Sequence, residues 1–573
     1  MTLPRAAHNV LIAIPTTIYR GAPSAARPKG GIVHYRVAVG LFSIVIAGCS
    51  LGGGVTSAPQ QAGAPAYDIA YHLDATDTSS HRYDVRMDIG RLRGDTLELQ
   101  LPVWSPGRYA NMGFARNLRG FTATTGNGTP VAFDRVNGSL WRLYPGAARS
   151  VRVSYEMYAN TLSGTFSVLD TAHGNLNGPS LFMYVVGHKP DSVRLTIAAL
   201  PGWQLINGES STTAQREFRF ENYDRMVDTP TELAPRVMAD SFRADGRLYR
   251  VLVHHNGSEH GQRQRFVRDV EKIVRYENRV ISPPPLERYT FMFHIGYTGG
   301  DGMEHLYSTQ IINSAPWSDT ATVLPGISTA AHEYFHTWNV KRIRPAALGP
   351  FDYSTEQWQP SLWVAEGWTQ YYGQIGLLRA GVVDKAAYYQ TLGRVIQVNS
   401  EQPGRKYVSA RMSSFLAPLW DGAAPPMDAD RSGSFISYYT KGAALALLLD
   451  LEIRSRSGNT RSLDDALRLL KKRTWDAPSD SYYLQGRGYT EKDIEEVVSE
   501  AAGTNMHDWF ERYVNGVEEL PFARTLALAG LAASARGMGD DREYVVEELP
   551  NATAEQLRVR VGWLNGTTSS EGR

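Results

Sequence analysis

Three stretches early in the body of the chain, HRYDVRMDIGRL (81–92), TLELQLPVW (96–104) and ARSVRVSYEMYA (148–159), alternate apolar and polar residues. A period of two marks strands with one face in a core, and the Gly, Asn, Asp and Pro between them supply turns. The pattern runs from about residue 66 to 240 and predicts an antiparallel β-sandwich. It shows no catalytic cluster. No repeat of solenoid length is present. From about residue 262 the period changes. QRQRFVRDVEKIVRYENRVI (262–281) reads as a helix, prolines 283–285 stop it, and RYTFMFHIGY (288–297) reads as a strand. After the glycine-rich GYTGGDGMEHLYS (296–308), helices are predicted for ISTAAHEYFHTWNVKRIR (327–344) and LWVAEGWTQYYGQIGLLRAG (362–381). YTKGAALALLLDLEIRS (439–455), SLDDALRLLKKR (462–473) and TEKDIEEVVSEAAG (490–503) read the same way. The expected fold class is α+β and multidomain. A sandwich (66–240) precedes a mainly α domain with a few strands at its start (241–520), and a tail follows (521–573). Within the tail, LRVRVGWL (557–564) reads as a strand.

Ahead of the body, VAVGLFSIVIAG (37–48) is an apolar run with the length of a signal h-region, too short for a membrane span. It ends at Cys49, the single cysteine of the chain, in a setting that resembles the bacterial lipoprotein signal. Residues 1–65 are therefore expected to be a lipoprotein signal and a Gly/Ser/Pro-rich tether, with Cys49 lipidated. The body would then face the periplasm of a bacterial envelope. The expected membrane is the outer one, because Ser50 is not the aspartate that retains some lipoproteins at the inner membrane. One cysteine allows neither an internal disulfide nor a cysteine zinc cluster, so any zinc must be held by His and carboxylate. The 59 Lys and Arg balance 58 Asp and Glu, and this near-zero charge gives no basis for a nucleic-acid partner. Oligomeric state is left open.

The chemistry-bearing stretch is AAHEYFHTWN (330–339). His332 and His336 are four apart, so on a helix they share a face one turn apart and can bind one zinc ion. Glu333 projects beside them, within reach of a metal-bound water. A catalytic zinc site needs a third protein ligand and one open position. Glu366 lies in an apolar, aromatic setting between Trp363 and Trp368, where a carboxylate is poorly solvated, and the adjacent Gly367 permits close helix approach. Glu356, in the polar stretch DYSTEQWQP, is the rival. No G-x-S-x-G elbow and no phosphate loop is present.

HEYFHTWNVKRIRP, PFDYSTEQW, LWVAEGWTQYY and YYTKGAALALLLDLEIR together resemble the glycyl aminopeptidase family of zinc peptidases, relatives of the thermolysin-like gluzincins and the larger zinc aminopeptidases. The resemblance covers roughly residues 66–530. In the larger aminopeptidases the third ligand follows after a shorter gap. The 29 residues between His336 and Glu366 match the glycyl aminopeptidase pattern instead.

The resemblance implies a thermolysin-like catalytic domain with one Zn2+ per chain on His332, His336 and Glu366, and Glu333 as general base. It implies that Tyr439, in YYTKG, faces the scissile carbonyl. Within GGDGMEHLYS it selects Glu304, beside Gly302 and Met303, to hold the free α-amine of a peptide substrate. Asp301 has no counterpart in that pattern. The expected reaction is removal of small N-terminal residues, Gly or Ala, from peptides with a free N-terminus. An endopeptidase on the same scaffold, or a non-catalytic envelope lipoprotein that binds peptides or glycans, is the alternative. Family members often carry a C-terminal PDZ domain. With 53 residues after Leu520 and no visible carboxylate-gripping loop, that domain is expected to be missing or vestigial.

Overall fold

The computed structural model describes residues 66–421 and 430–568. Cys49 and the expected signal and tether lie outside them. No helix among the described residues is long and apolar enough to cross a membrane.

The alternating stretch at 96–104 forms the strand Leu97–Gln100 of a smaller sheet. Those at 81–92 and 148–159 form β2 (Arg82–Gly90), which turns Tyr83, Val85, Met87 and Ile89 inward, and β3 (Ser150–Tyr158), in one sheet with β1 (Asp68–Ala75). These three belong to a six-stranded sheet. This sheet is not wholly antiparallel as expected, because β1 pairs in parallel with the strand Val193–Ala199. Side-chain alternation reports which face is buried and says nothing of strand direction, and a long excursion of chain allows the parallel return. Smaller sheets complete the β-rich region. One of them contains β4 (Gly174–Leu176) and β5 (Thr231–Ala234), paired antiparallel.

A five-stranded sheet follows, built from β6 (Ala239–Ala244), β7 (Arg247–His255), β8 (Arg288–Ile295), β9 (Gly300–Glu304) and β10 (Ser308–Asn313). Its spatial order is β6-β7-β8-β10-β9. The three central strands are parallel and both edges antiparallel. β8 is buried along almost its whole length, as a near-continuous apolar run demands. One face packs Val251, Phe291 and Phe293 against helices α1 (Arg263–Val280) and α2 (Thr320–Phe335). The other face meets the β-rich region, with Leu252 and Met292 against Ile206.

Helix α2 starts at a capping box made by Asp319 and Thr322 and ends with His336 as its C-cap. The predicted continuation to Arg344 does not form. The chain tightens into turns, with the Thr337 amide donating to Tyr334 O and that of Trp338 to Phe335 O. The next predicted helix is broken at Glu366 into α3 (Leu362–Ala365) and α4 (Gly367–Arg379). Gly367 sits against Gly442 of α5 (Tyr438–Arg456), and a Cβ on either glycine would overlap backbone. The tail segment expected as a strand is helical instead, within α6 (Ala554–Asn565), which is capped by Thr553 and Gln556. Its alternation is accidental: Leu557 and Val561 face solvent, while Val559 and Trp563, four apart, are buried. Trp563 Nε1 donates to the Tyr371 hydroxyl at 3.0 Å, which fastens the tail to α4.

Asp228 joins the β-rich region to the chain on both sides of the α2 motif. It accepts from Lys341 Nζ at 2.9 Å, His305 Nδ1 at 3.1 Å and the Leu306 amide at 2.8 Å. Burial alone would raise its carboxyl pKa, but Lys341 and His305 outweigh burial and hold it well below the usual range. A depressed folded-state pKa stabilises the fold fully above the unfolded value of about 3.9, and the gain is lost as pH falls below it. Asp228→Ala leaves Lys341 buried without its carboxylate and is expected to cost about 3–5 kcal/mol. The denaturation midpoint measures this, and an unchanged midpoint would refute the node.

Candidate metal centre

Helix geometry brings the two imidazoles of α2 together, with His332 Nε2 and His336 Nε2 3.0 Å apart. The break between α3 and α4 turns Glu366 toward them, so that Glu366 Oε2 lies 3.4 Å from His332 Nε2 and 3.3 Å from His336 Nε2. In a tetrahedral zinc site with bonds of about 2.0–2.1 Å, neighbouring ligand atoms are about 3.3 Å apart. The three atoms match that spacing. Glu366 and His336 are buried and His332 nearly so. Buried lone pairs converging in this way repel unless a cation or a shared proton lies among them.

Neighbours fix the orientation of two of these side chains, His336 and Glu366. His336 Nδ1 donates to Asn339 O at 2.6 Å, which leaves the Nε2 lone pair facing the cluster. The Asn339 side chain in turn donates to Val364 O and to Thr369 Oγ1. Glu366 Oε1 accepts from the Tyr109 hydroxyl at 2.6 Å, leaving Oε2 for the imidazoles. Glu356 joins none of the candidate metal groups among the described residues.

Glu333 lies next in space. Ligand atoms of Glu304, Glu333 and His336 all fall within 4.8 Å of one another. Burial drives the Glu333 carboxyl well above the usual carboxylate range, and the Glu304 and Glu366 charges add to it, offset in part by His336 and Arg108. Burial would also raise Glu366, but the two imidazoles outweigh it and hold its carboxyl far down. Burial would lower His336, but the surrounding carboxylates raise it to about 9. Burial is the main cause of the lowered His332 value. The set is an anionic, buried pocket built to hold positive charge.

Edge strand β9 forms one wall. A Cβ at Gly302 would overlap Glu333 Oε1, so only glycine lets the strand run this close to α2. Met303 and Glu304 press on the loop 105–109, where Gly107 at φ +91° leaves no room for a side chain. Asp301 ties the wall to the β-rich region. It pairs with Arg108 and accepts from the Gly164 amide at 2.8 Å. Tyr439 sits on the first turn of α5 with its ring 6.0 Å from that of His332. Tyr438 is buried and packs edge-on against Tyr109 at 6.3 Å.

The β-rich region shows no catalytic cluster of its own, but it lends Tyr109 and Arg108 to the candidate centre. Tyr109 lies 257 residues from Glu366 in sequence, in a turn without a motif, so no local pattern could have marked it.

Residues 70–235 match the family model of the peptidase M61 N-terminal domain, and residues 326–445 match that of the M61 glycyl aminopeptidase. Among solved structures, an aminopeptidase N family protein from Idiomarina loihiensis is similar, with a TM-score of 0.75 and 26% sequence identity. The alignment covers 82% of this chain and 80% of that one. A search of curated proteins finds no match.

Tyr109→Phe removes the hydrogen bond that orients Glu366 and is expected to weaken the affinity of this candidate site for a divalent metal about 10–100-fold. Chelator competition measures this. An unaltered affinity would show that the hydroxyl does not orient the ligand.

Proposed function

Because the chain belongs to the M61 glycyl aminopeptidase family and is a peptidase, we propose that it is a zinc-dependent aminopeptidase releasing small N-terminal residues, Gly or Ala, from peptides. The observation that carries this is the buried Glu304 carboxylate beside Glu333 and the three candidate ligands. Among the described residues Glu304 pairs with no lysine or arginine, and such a buried carboxylate favours a ligand that brings its own positive charge. The ammonium of a free peptide N-terminus is such a group, and an N-acylated peptide offers none.

His332 Nε2, His336 Nε2 and Glu366 Oε2 would hold the one Zn2+. When bound, the ion polarises the scissile carbonyl and acidifies the attacking water. The Glu333 carboxylate takes the proton of that water and later delivers it to the leaving amine nitrogen. Burial, with the neighbouring carboxylate charges, raises its pKa, which makes it the stronger base. The Tyr439 hydroxyl donates to the carbonyl oxygen as that oxygen gains charge. Glu304 anchors the substrate ammonium, and the Gly302–Met303 backbone sets how far the N-terminal residue can advance. Preference for Gly and Ala rests on the family.

Turnover of glycyl- and alanyl-p-nitroanilide, lost with a chelator and restored by zinc, tests the activity. Glu333→Gln should keep its zinc and lose about 10²–10⁴-fold in kcat; a wild-type rate would remove the base assignment. Glu304→Ala should cost about 2–5 kcal/mol in kcat/KM on unblocked peptides, with little change on N-acetylated ones. Equal losses on both would point to an endopeptidase.

A further inference from the structure

A second set of metal-ligand side chains lies where the β-rich region meets the five-stranded sheet, and it shares no residue with the centre on α2. Glu232 sits on β5, and His173 immediately precedes β4. His254 on β7 and His294 on β8 are direct partners across the parallel ladder and emerge on one face of the sheet. One ligand atom each from His173, Glu232 and His254 lies within 4.8 Å of the other two. His254 Nδ1 is 3.3 Å from Glu232 Oε1, and the rings of His173 and His254 stack with centroids 4.5 Å apart. The other carboxylate oxygen is held from behind. Glu232 Oε2 meets His294 Nε2 at 3.1 Å and accepts from Asn175 Nδ2 at 3.0 Å.

Ordinary hydrogen bonding does not satisfy this cluster. Glu232 and His173 are each 1% exposed. Among the described residues, the ion-pair partners of Glu232 are His254 and His294, with no lysine or arginine. Glu232 Oε1 accepts no hydrogen bond, and neither ring nitrogen of His173 makes one. His173 Nδ1 has Asp170 Oδ1 at 3.4 Å as its charged neighbour. A buried carboxylate oxygen and the His173 imidazole, both without hydrogen bonds, stand beside the His254 imidazole and form with it the nitrogen and oxygen donor set that zinc-class ions take.

We propose that His173, Glu232 and His254 bind a second divalent transition-metal ion of the zinc class, with His294 and Asn175 orienting the carboxylate. The rings of Tyr297 and His173 lie 5.5 Å apart, so Tyr297 flanks the cluster. Bound there, the ion clamps the β-rich region to the sheet whose edge strand carries Glu304. Its role is structural, and it does not depend on the reaction proposed for the first centre.

The test strips the full chain of metal, refills it with zinc alone and counts ions per chain by mass spectrometry. The expected result is two for the unaltered protein, one for His336→Ala, one for Glu232→Gln and none for the double variant. Glu232→Gln should retain p-nitroanilide turnover, because the ion it loses is not the catalytic one. Zinc should raise the melting temperature of His336→Ala and leave that of the double variant unchanged. His336→Ala keeps the second site intact, so it decides the matter even where Glu232→Gln fails to fold. No zinc in His336→Ala, or equal zinc in His336→Ala and the double variant, would overturn the site.

Discussion

Gly373 of α4 lies against the backbone of α2 at His332, where an added Cβ would stand 3.0 Å from the His332 amide nitrogen. Six residues earlier in α4, Gly367 lies against Gly442 of α5 in the same intimate way. Metal ligands must be held to about 0.5 Å, and a methyl group between these helices would separate them by more than that. Glu366 has a short reach and sits in the break just before Gly367. The contact between helix backbones therefore decides whether its carboxylate meets the two imidazoles. Tyr439, one helix further on, inherits its distance from His332 through the Gly367–Gly442 contact.

The β-rich region belongs to this centre as much as the helices do. Its Tyr109 takes up one oxygen of Glu366, its Arg108 fastens Asp301 on the edge strand, and its Asp228 grips Lys341 beyond the second histidine. Each contact spans more than a hundred residues of sequence. A peptidase domain cut free of this region would keep its histidines, but it would lose the hydrogen bond that directs Glu366 and the anchor of the strand beside Glu333.

Charge ties geometry to chemistry. Glu304, Glu333 and Glu366 are all buried around two imidazoles, with Arg108 the nearby fixed cation. Such an excess of negative potential in a dry site is costly until positive charge arrives. On the proposed function, that charge comes from the ion and from the ammonium of the substrate, so the same electrostatics favours both. The second cluster, at His173, Glu232 and His254, repeats the logic without a substrate, in a place where the ion would hold two sheets together.

Much of this was legible along the chain. Four-residue spacing puts His332 and His336 on one face of any helix. Period-two alternation marks buried faces in β2 and β3, and the apolar setting of Glu366 excludes easy solvation. The alternation misled in LRVRVGWL, because exposed Leu557 and Val561 mimic a strand inside a capped helix. Asp301 had no reading until Arg108 was beside it. Local pattern reports which side of an element avoids water, since that follows from 3.6- and 2-residue periods alone. It could not report that β1 runs parallel to a strand beyond residue 190, that Tyr109 meets Glu366, or that His173 meets His254. Those depend on which elements pack together, and only the closed tertiary structure, with its glycine-sized gaps between backbones, decides that.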